Sequence, residues 1–124
     1  MSKILVAEDD RFLANAYRVK LEREGYEVNV VFDGVELMKV LADFTPDLIV
    51  LDLIMPNKDG FTVLRDLKND EKYKNIPVLV SSNLGQSDDI VKATKLGADD
   101  YIVKTDLSMK GFALKIKSLL PPQV

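Results

Sequence analysis

The 124-residue sequence contains no histidine, which removes the commonest general base and a frequent metal ligand. It contains no cysteine, a composition compatible with the cytoplasm and one that leaves no thiolate for zinc or nucleophilic catalysis. No apolar run approaches the length of a membrane span, and no basic-then-apolar leader resembling a signal peptide opens the chain. The formal charge of −3 lacks the basic surplus that nucleic-acid phosphates demand, so direct nucleic-acid binding is not expected. Any chemistry is left to carboxylates, hydroxyls, lysines and backbone.

What is present suits one globular domain. Hydrophobic residues make up 47% and charged residues 30%, ordinary values for a chain that buries its own core. The stretch Leu48-Ile49-Val50-Leu51-Asp52 organises the rest. Its continuous apolar run reads as a strand buried on both faces, as in parallel sheets. The carboxylate at its C-terminal end lies where open α/β sheets bind ligands, although Asp52 could also simply end the strand. Lys3 to Ala7 forms a first buried strand before the acids Glu8-Asp9-Asp10. A helix follows, capped by Asp10 and stopped by Gly25, with Leu13, Tyr17 and Leu21 on one face. Glu27 to Phe32 alternates like an edge strand, and Asp33-Gly34 turns into a helix carrying Leu37, Met38, Leu41 and Ala42. Pro46 ends it.

After the Met55–Gly60 loop comes a short helix with Phe61, Leu64 and Leu67, then a polar surface loop from Lys68 to Asn75. Val78 to Val80 forms a fourth strand that ends at Ser81-Ser82. Ser87-Asp88-Asp89 opens a helix stopped by Gly97, and Asp100 to Val103 is a fifth strand ending at Lys104. Met109, Phe112, Ala113, Ile116, Leu119 and Leu120 mark one face of the last helix, which Pro121-Pro122 ends. Five strands alternating with five helices mean an α/β fold with a parallel, doubly wound sheet. Residues 1–120 make the domain, and 121–124 a tail or the start of a linker.

In such a sheet the strand tips share one edge, so Glu8, Asp9, Asp52, Ser82 and Lys104 can converge. Two like charges ~4 Å apart repel by about 4 kcal/mol at an effective dielectric near 20. A carboxylate cluster therefore needs a cation, a shared proton or an ammonium. Hard oxygen donors without histidine or cysteine point to Mg²⁺. With Lys104 and the Ser82 hydroxyl added, the pocket suits a phosphoryl group, and Asp52 is placed as the nucleophile that becomes an aspartyl phosphate.

The motifs ILVAEDD (4–10), LIVLDLIMPNKDG (48–60), IPVLVSSN (76–83) and LGADDYIVK (96–104), in this order and spacing, resemble the receiver domain of bacterial two-component response regulators, chemotaxis-type single receivers included. The resemblance implies a flavodoxin-like fold of strand order 2-1-3-4-5, with Asp52 as phosphoacceptor. It implies a Mg²⁺ site, which Mn²⁺ can also fill, made by Glu8 acting through water, Asp9, Asp52 and the backbone carbonyl of Ile54. Ser82 matches the switch hydroxyl, Tyr101 the aromatic that changes rotamer with it, and Lys104 the family lysine. Two positions depart from the pattern. Thr105 stands where the family has a proline joined by a cis bond, so the Lys104–Thr105 bond is either cis or rebuilt as trans. Asn83 stands where a tiny residue is usual. Ile54 and Leu84 are expected to flank the pocket with apolar bulk and slow water attack.

The expected function is a signalling switch and not an enzyme on free substrates. A sensor histidine kinase or histidine phosphotransfer protein would donate the phosphoryl group, docking near Phe12 and Leu13. The helix 4, strand 5 and helix 5 face would control a partner or an attached output domain. The alternatives are a degenerate receiver acting as a scaffold and a small Mg²⁺-dependent phosphohydrolase, though the latter commonly has an acid where Ile54 stands.

Overall fold

A computed structural model describes residues 1–121; the expected tail lies outside them from residue 122 onward. The elements run β1 (Lys3–Ala7), α1 (Arg11–Arg23), β2 (Glu27–Val31), α2 (Gly34–Val40), β3 (Leu48–Leu51), α3 (Gly60–Lys68), β4 (Val78–Ser82), α4 (Ser87–Lys95), β5 (Asp100–Val103) and α5 (Met109–Leu119). All strand pairings are parallel, in the order β2-β1-β3-β4-β5, the flavodoxin-like order expected. The alternating strand β2 is an edge strand.

The strand period of two sorts the core into two layers. Leu5, Ile49, Leu51 and Val80 face α2, α3 and α4, packing on Leu37, Val63, Leu64 and Ala93. Ile4, Val6, Val50 and Leu79 face α1 and α5, packing on Tyr17, Leu21, Phe112 and Ile116. Strands β1 and β3 are buried from both sides, which is why their sequences are unbroken apolar runs.

Helix ends follow local chemistry. The Asp10 carboxylate accepts from the Phe12 and Leu13 amides, and Gly25 takes a φ of +94° just past α1, the left-handed position that glycine adopts without strain. Four expected boundaries shift. Phe32 lies beyond β2, its ring under the Arg11 guanidinium at 4.0 Å. Helix α2 ends at Val40, so Leu41 caps it and Ala42 follows it. Strand β4 continues through Ser81 and Ser82, which pair with Ile102 and Val103. Lys68 is the last residue of α3, not loop. Its ammonium is drawn inward to the Ile76 carbonyl (2.9 Å) and the Asp99 carboxylate (3.0 Å), tying the loops before β4 and β5 together.

One polar pair interrupts the α1/α5 layer. The hydroxyls of Tyr17 and Ser81 lie 2.7 Å apart, both buried, and the Tyr17 ring stacks on Phe112 with centroids 4.1 Å apart. Tyr17→Phe keeps the stack but strands the Ser81 hydroxyl, and is expected to cost about 1–2 kcal/mol in urea denaturation. Ser81→Ala strands the tyrosine hydroxyl with a similar loss. The double variant should recover part of either loss, because both polar groups are gone; losses that simply add would contradict the pairing.

Candidate functional site

Glu8, Asp52 and Lys104 each stand one residue past a strand, and the sheet ladder continues through their backbones. The Glu8 amide donates to Val31 O (3.0 Å), the Asp52 amide to Ala7 O (3.0 Å) and the Lys104 amide to Ser82 O (2.9 Å). This register brings together side chains that are far apart in sequence. They open into a cleft of about 380 Å³ whose lining also includes Asp9, Ile54, Asn83 and Thr105.

The Lys104 ammonium sits between the two buried acids, 2.5 Å from Glu8 Oε1 and 3.2 Å from Asp52 Oδ2. Asp52 Oδ1 accepts from the Ile54 amide at 3.2 Å, and Glu8 Oε2 from the Asp10 amide at 3.0 Å. Glu8 Oε1 is buried, with the Lys104 ammonium as its partner. One carboxylate oxygen from each of Glu8, Asp9 and Asp52 lies within 4.8 Å of the others. Three hard carboxylate oxygens at this spacing, with no nitrogen or sulfur ligand among them, fit a divalent cation of the Mg²⁺ type.

Burial sets the electrostatics. It pushes the Glu8 carboxyl up to about 7, against the pull of Lys104 and the Asp10 amide and with the charge of Asp52 pushing the same way. Burial likewise raises Asp52, opposed by Lys104 and the Ile54 amide. For Lys104, burial alone would favour the neutral amine, but Glu8 and Asp52 outweigh it and hold the ammonium above its ordinary range. The two acids and the lysine thus form one coupled charge system.

The remaining expected residues divide. Ile54 lines the cleft while remaining 58% exposed, and Asn83 and Thr105 line it too. There is no cis peptide bond among the described residues, so Lys104–Thr105 is trans, and Lys104 still reaches Asp52. Ser82 is buried and its hydroxyl accepts from the Leu84 amide at 3.1 Å. The Tyr101 hydroxyl donates to the Leu84 carbonyl at 2.5 Å. Leu84 therefore does not flank the cleft as expected. Its peptide groups are held by Ser82 and Tyr101, and its side chain packs into the α2–α4 layer. Sequence reasoning missed this backbone hub, since side-chain pattern carries no signal for a main-chain contact. Asp10, expected only as the cap of α1, and Leu13, expected on the face of α1 and near the docking donor, both line the cleft as well.

The match to known proteins is consistent with this geometry. The family model described as the response regulator receiver domain matches residues 4–110. The DNA-binding dual master transcriptional regulator RpaA of Synechocystis is 37% identical over 120 residues, covering 97% of this chain and 49% of that protein. The response regulator PleD of Caulobacter vibrioides is 36% identical over 118 residues, covering 95% of this chain and 26% of that protein. The chain thus spans half or less of these two relatives. Among solved structures, the signal receiver domain of a signal transduction histidine kinase from Syntrophus aciditrophicus superposes with a TM-score of 0.89 at 34% identity, covering 97% of this chain and 90% of that one. The Mn²⁺-bound form of the response regulator Rcp1 superposes with a TM-score of 0.85 at 27% identity, covering 98% and 100%. By family match, sheet order and the company of residues at its strand tips, this chain belongs to the response regulator receiver domains.

Proposed function

We propose that this chain is a phosphorylation-activated switch in which Asp52 accepts a phosphoryl group from a phosphohistidine, carried by a sensor histidine kinase or a histidine phosphotransfer protein. The observation that carries the reading is the placement of Lys104 between Glu8 and Asp52 in one open cleft. Glu8, Asp9, Asp52 and the Ile54 carbonyl would hold Mg²⁺, with Mn²⁺ as a substitute. When bound, the ion supplies Lewis-acid charge to the phosphoryl oxygens.

In the transfer, an Asp52 carboxylate oxygen forms a bond to phosphorus as the donor's P–N bond breaks, and the leaving imidazole keeps the electron pair and takes up a proton. Lys104 neutralises the added charge at Asp52. The phosphoryl group brings about 1.5–2 negative charges and three acceptor oxygens. The Ser82 hydroxyl, now accepting from the Leu84 amide, would turn to donate to one of them. That frees the Leu84 peptide on which Tyr101 rests, so Tyr101 is released with it. The face made by α4, β5 and α5 then changes and controls a partner protein or an attached output domain. A cytoplasmic location accompanies this reading, as does docking of the donor beside Phe12, which is 92% exposed.

Acetyl phosphate with Mg²⁺ tests the proposal directly. Intact mass spectrometry should find one added phosphoryl group on the wild type, none after chelation with EDTA, and none on Asp52→Asn. Equal labelling of Asp52→Asn would contradict it. Ile54 offers an attacking water no hydrogen bond, so the phosphoaspartate should decay slowly. Ile54→Asn adds one polar contact worth about 0.5–1.5 kcal/mol, and the phosphorylated mass should then disappear roughly three- to tenfold faster. Unchanged decay would exclude this role for Ile54.

A further inference from the structure

The loop that carries Ile54, residues 53–59, is exposed along much of its length but is held at several points. The Gly60 amide donates to Leu53 O at 2.9 Å, and a Cβ on Gly60 would lie 2.2 Å from Asp52 O. Lys58 Nζ pairs with Asp66 of α3 at 2.6 Å. The remaining tether crosses to a different element. Asn57 takes a φ of +68°, a left-handed conformation that asparagine tolerates better than most residues, and its side-chain amide donates to Asp33 Oδ2 at 2.9 Å. Asp33 is already committed by its other oxygen, Oδ1, which accepts from the Glu36 amide at 2.7 Å and caps α2. A Cβ on Gly34 would meet Lys58 O at 2.2 Å, so only glycine lets the loop seat this closely against α2.

We propose that Asp33 and Asn57 are positioning residues for magnesium. By pinning the 53–59 loop to the start of α2, they hold the Ile54 backbone where its carbonyl can serve as a ligand. Neither residue touches the cleft. Asp33 stands 19 residues before Asp52 in a different strand–helix turn, and the cap alone would account for an acid there. What the cap leaves unexplained is the second oxygen, which is spent on a side chain that sits in the loop between Asp52 and α3. The inference rests on the reading of Glu8, Asp9, Asp52 and Ile54 as the magnesium site. It adds that the site's affinity is set in part from α2.

Two substitutions separate this role from general stability. Asn57→Gly accepts the left-handed backbone and removes only the tether. Asp33→Ser keeps an N-cap, but its single hydroxyl is used by that cap. Titrating metal-free protein with Mg²⁺ and following the amide resonances of Asp9 and of residues 52–54 by NMR gives a dissociation constant for each form; thermal melts check that all are folded. The wild type should bind, and each variant should bind about tenfold more weakly, in the range typical when a group behind a metal ligand is lost. The double variant should be no weaker than the worse single variant, because both changes break one contact. Variants that bind as the wild type does, or whose losses multiply in the double variant, would overturn the inference. A wild type that binds no Mg²⁺ while remaining folded would overturn the magnesium site itself, and the inference with it.

Discussion

The structure depends on the placement of one ammonium. Glu8 and Asp52 are both buried at the tips of adjacent strands, an arrangement that repulsion and lost hydration oppose. Lys104, brought in from the far edge strand, touches both. It balances the pair only in part, since two acids face one base and Asp9 stands beside them. Burial, with the charge of Asp52 adding to it, therefore holds the Glu8 carboxyl above its ordinary range despite Lys104. A site built this way favours an additional cation, and its state should respond to whatever charge arrives at Asp52.

The fold serves this placement. Parallel strands put every C-terminal tip on one edge, and the ladder bonds of Glu8, Asp52 and Lys104 carry the sheet's register into the site. The two apolar layers fix the strands rigidly enough that the charged tips cannot separate to relieve their repulsion. Ser82 sits at the same edge, but its hydroxyl is turned to the Leu84 amide, and Tyr101 holds the opposite side of that residue's backbone through its carbonyl. The charged cleft and the start of α4 are thus joined through a single residue of main chain.

Much of this was legible in the sequence because burial on both faces writes itself as runs such as KILVA and LIVL, each ending in an acid. That pattern gives parallel strands, and the topology then brings Glu8, Asp9, Asp52 and Lys104 together. The strand order came only from the family resemblance, since periodicity does not say which strands are neighbours. What stayed hidden were contacts that a side-chain pattern does not encode. Lys68 looked like a solvated loop lysine, yet its long stem lets the ammonium reach inward to Ile76 and Asp99. Leu84 looked like apolar bulk beside the cleft, whereas its peptide groups make the contacts. Ser81 looked like the end of a strand, but lies inside β4 with Tyr17 as its buried partner.

The central claim, that burial beside Asp52 outweighs what Lys104 offers the Glu8 carboxylate, can be measured without any phosphoryl donor. With no histidine or cysteine in the chain, few groups other than this cluster titrate between pH 5 and pH 8. A carboxyl raised from 4.5 to about 7 on folding contributes stability that is complete below pH 4.5 and lost as pH rises through 7. Urea denaturation of metal-free protein should therefore show the wild type losing on the order of 1–3 kcal/mol from pH 5 to pH 8, and Glu8→Gln losing little. A wild type and a Glu8→Gln variant with the same dependence on pH would contradict the claim.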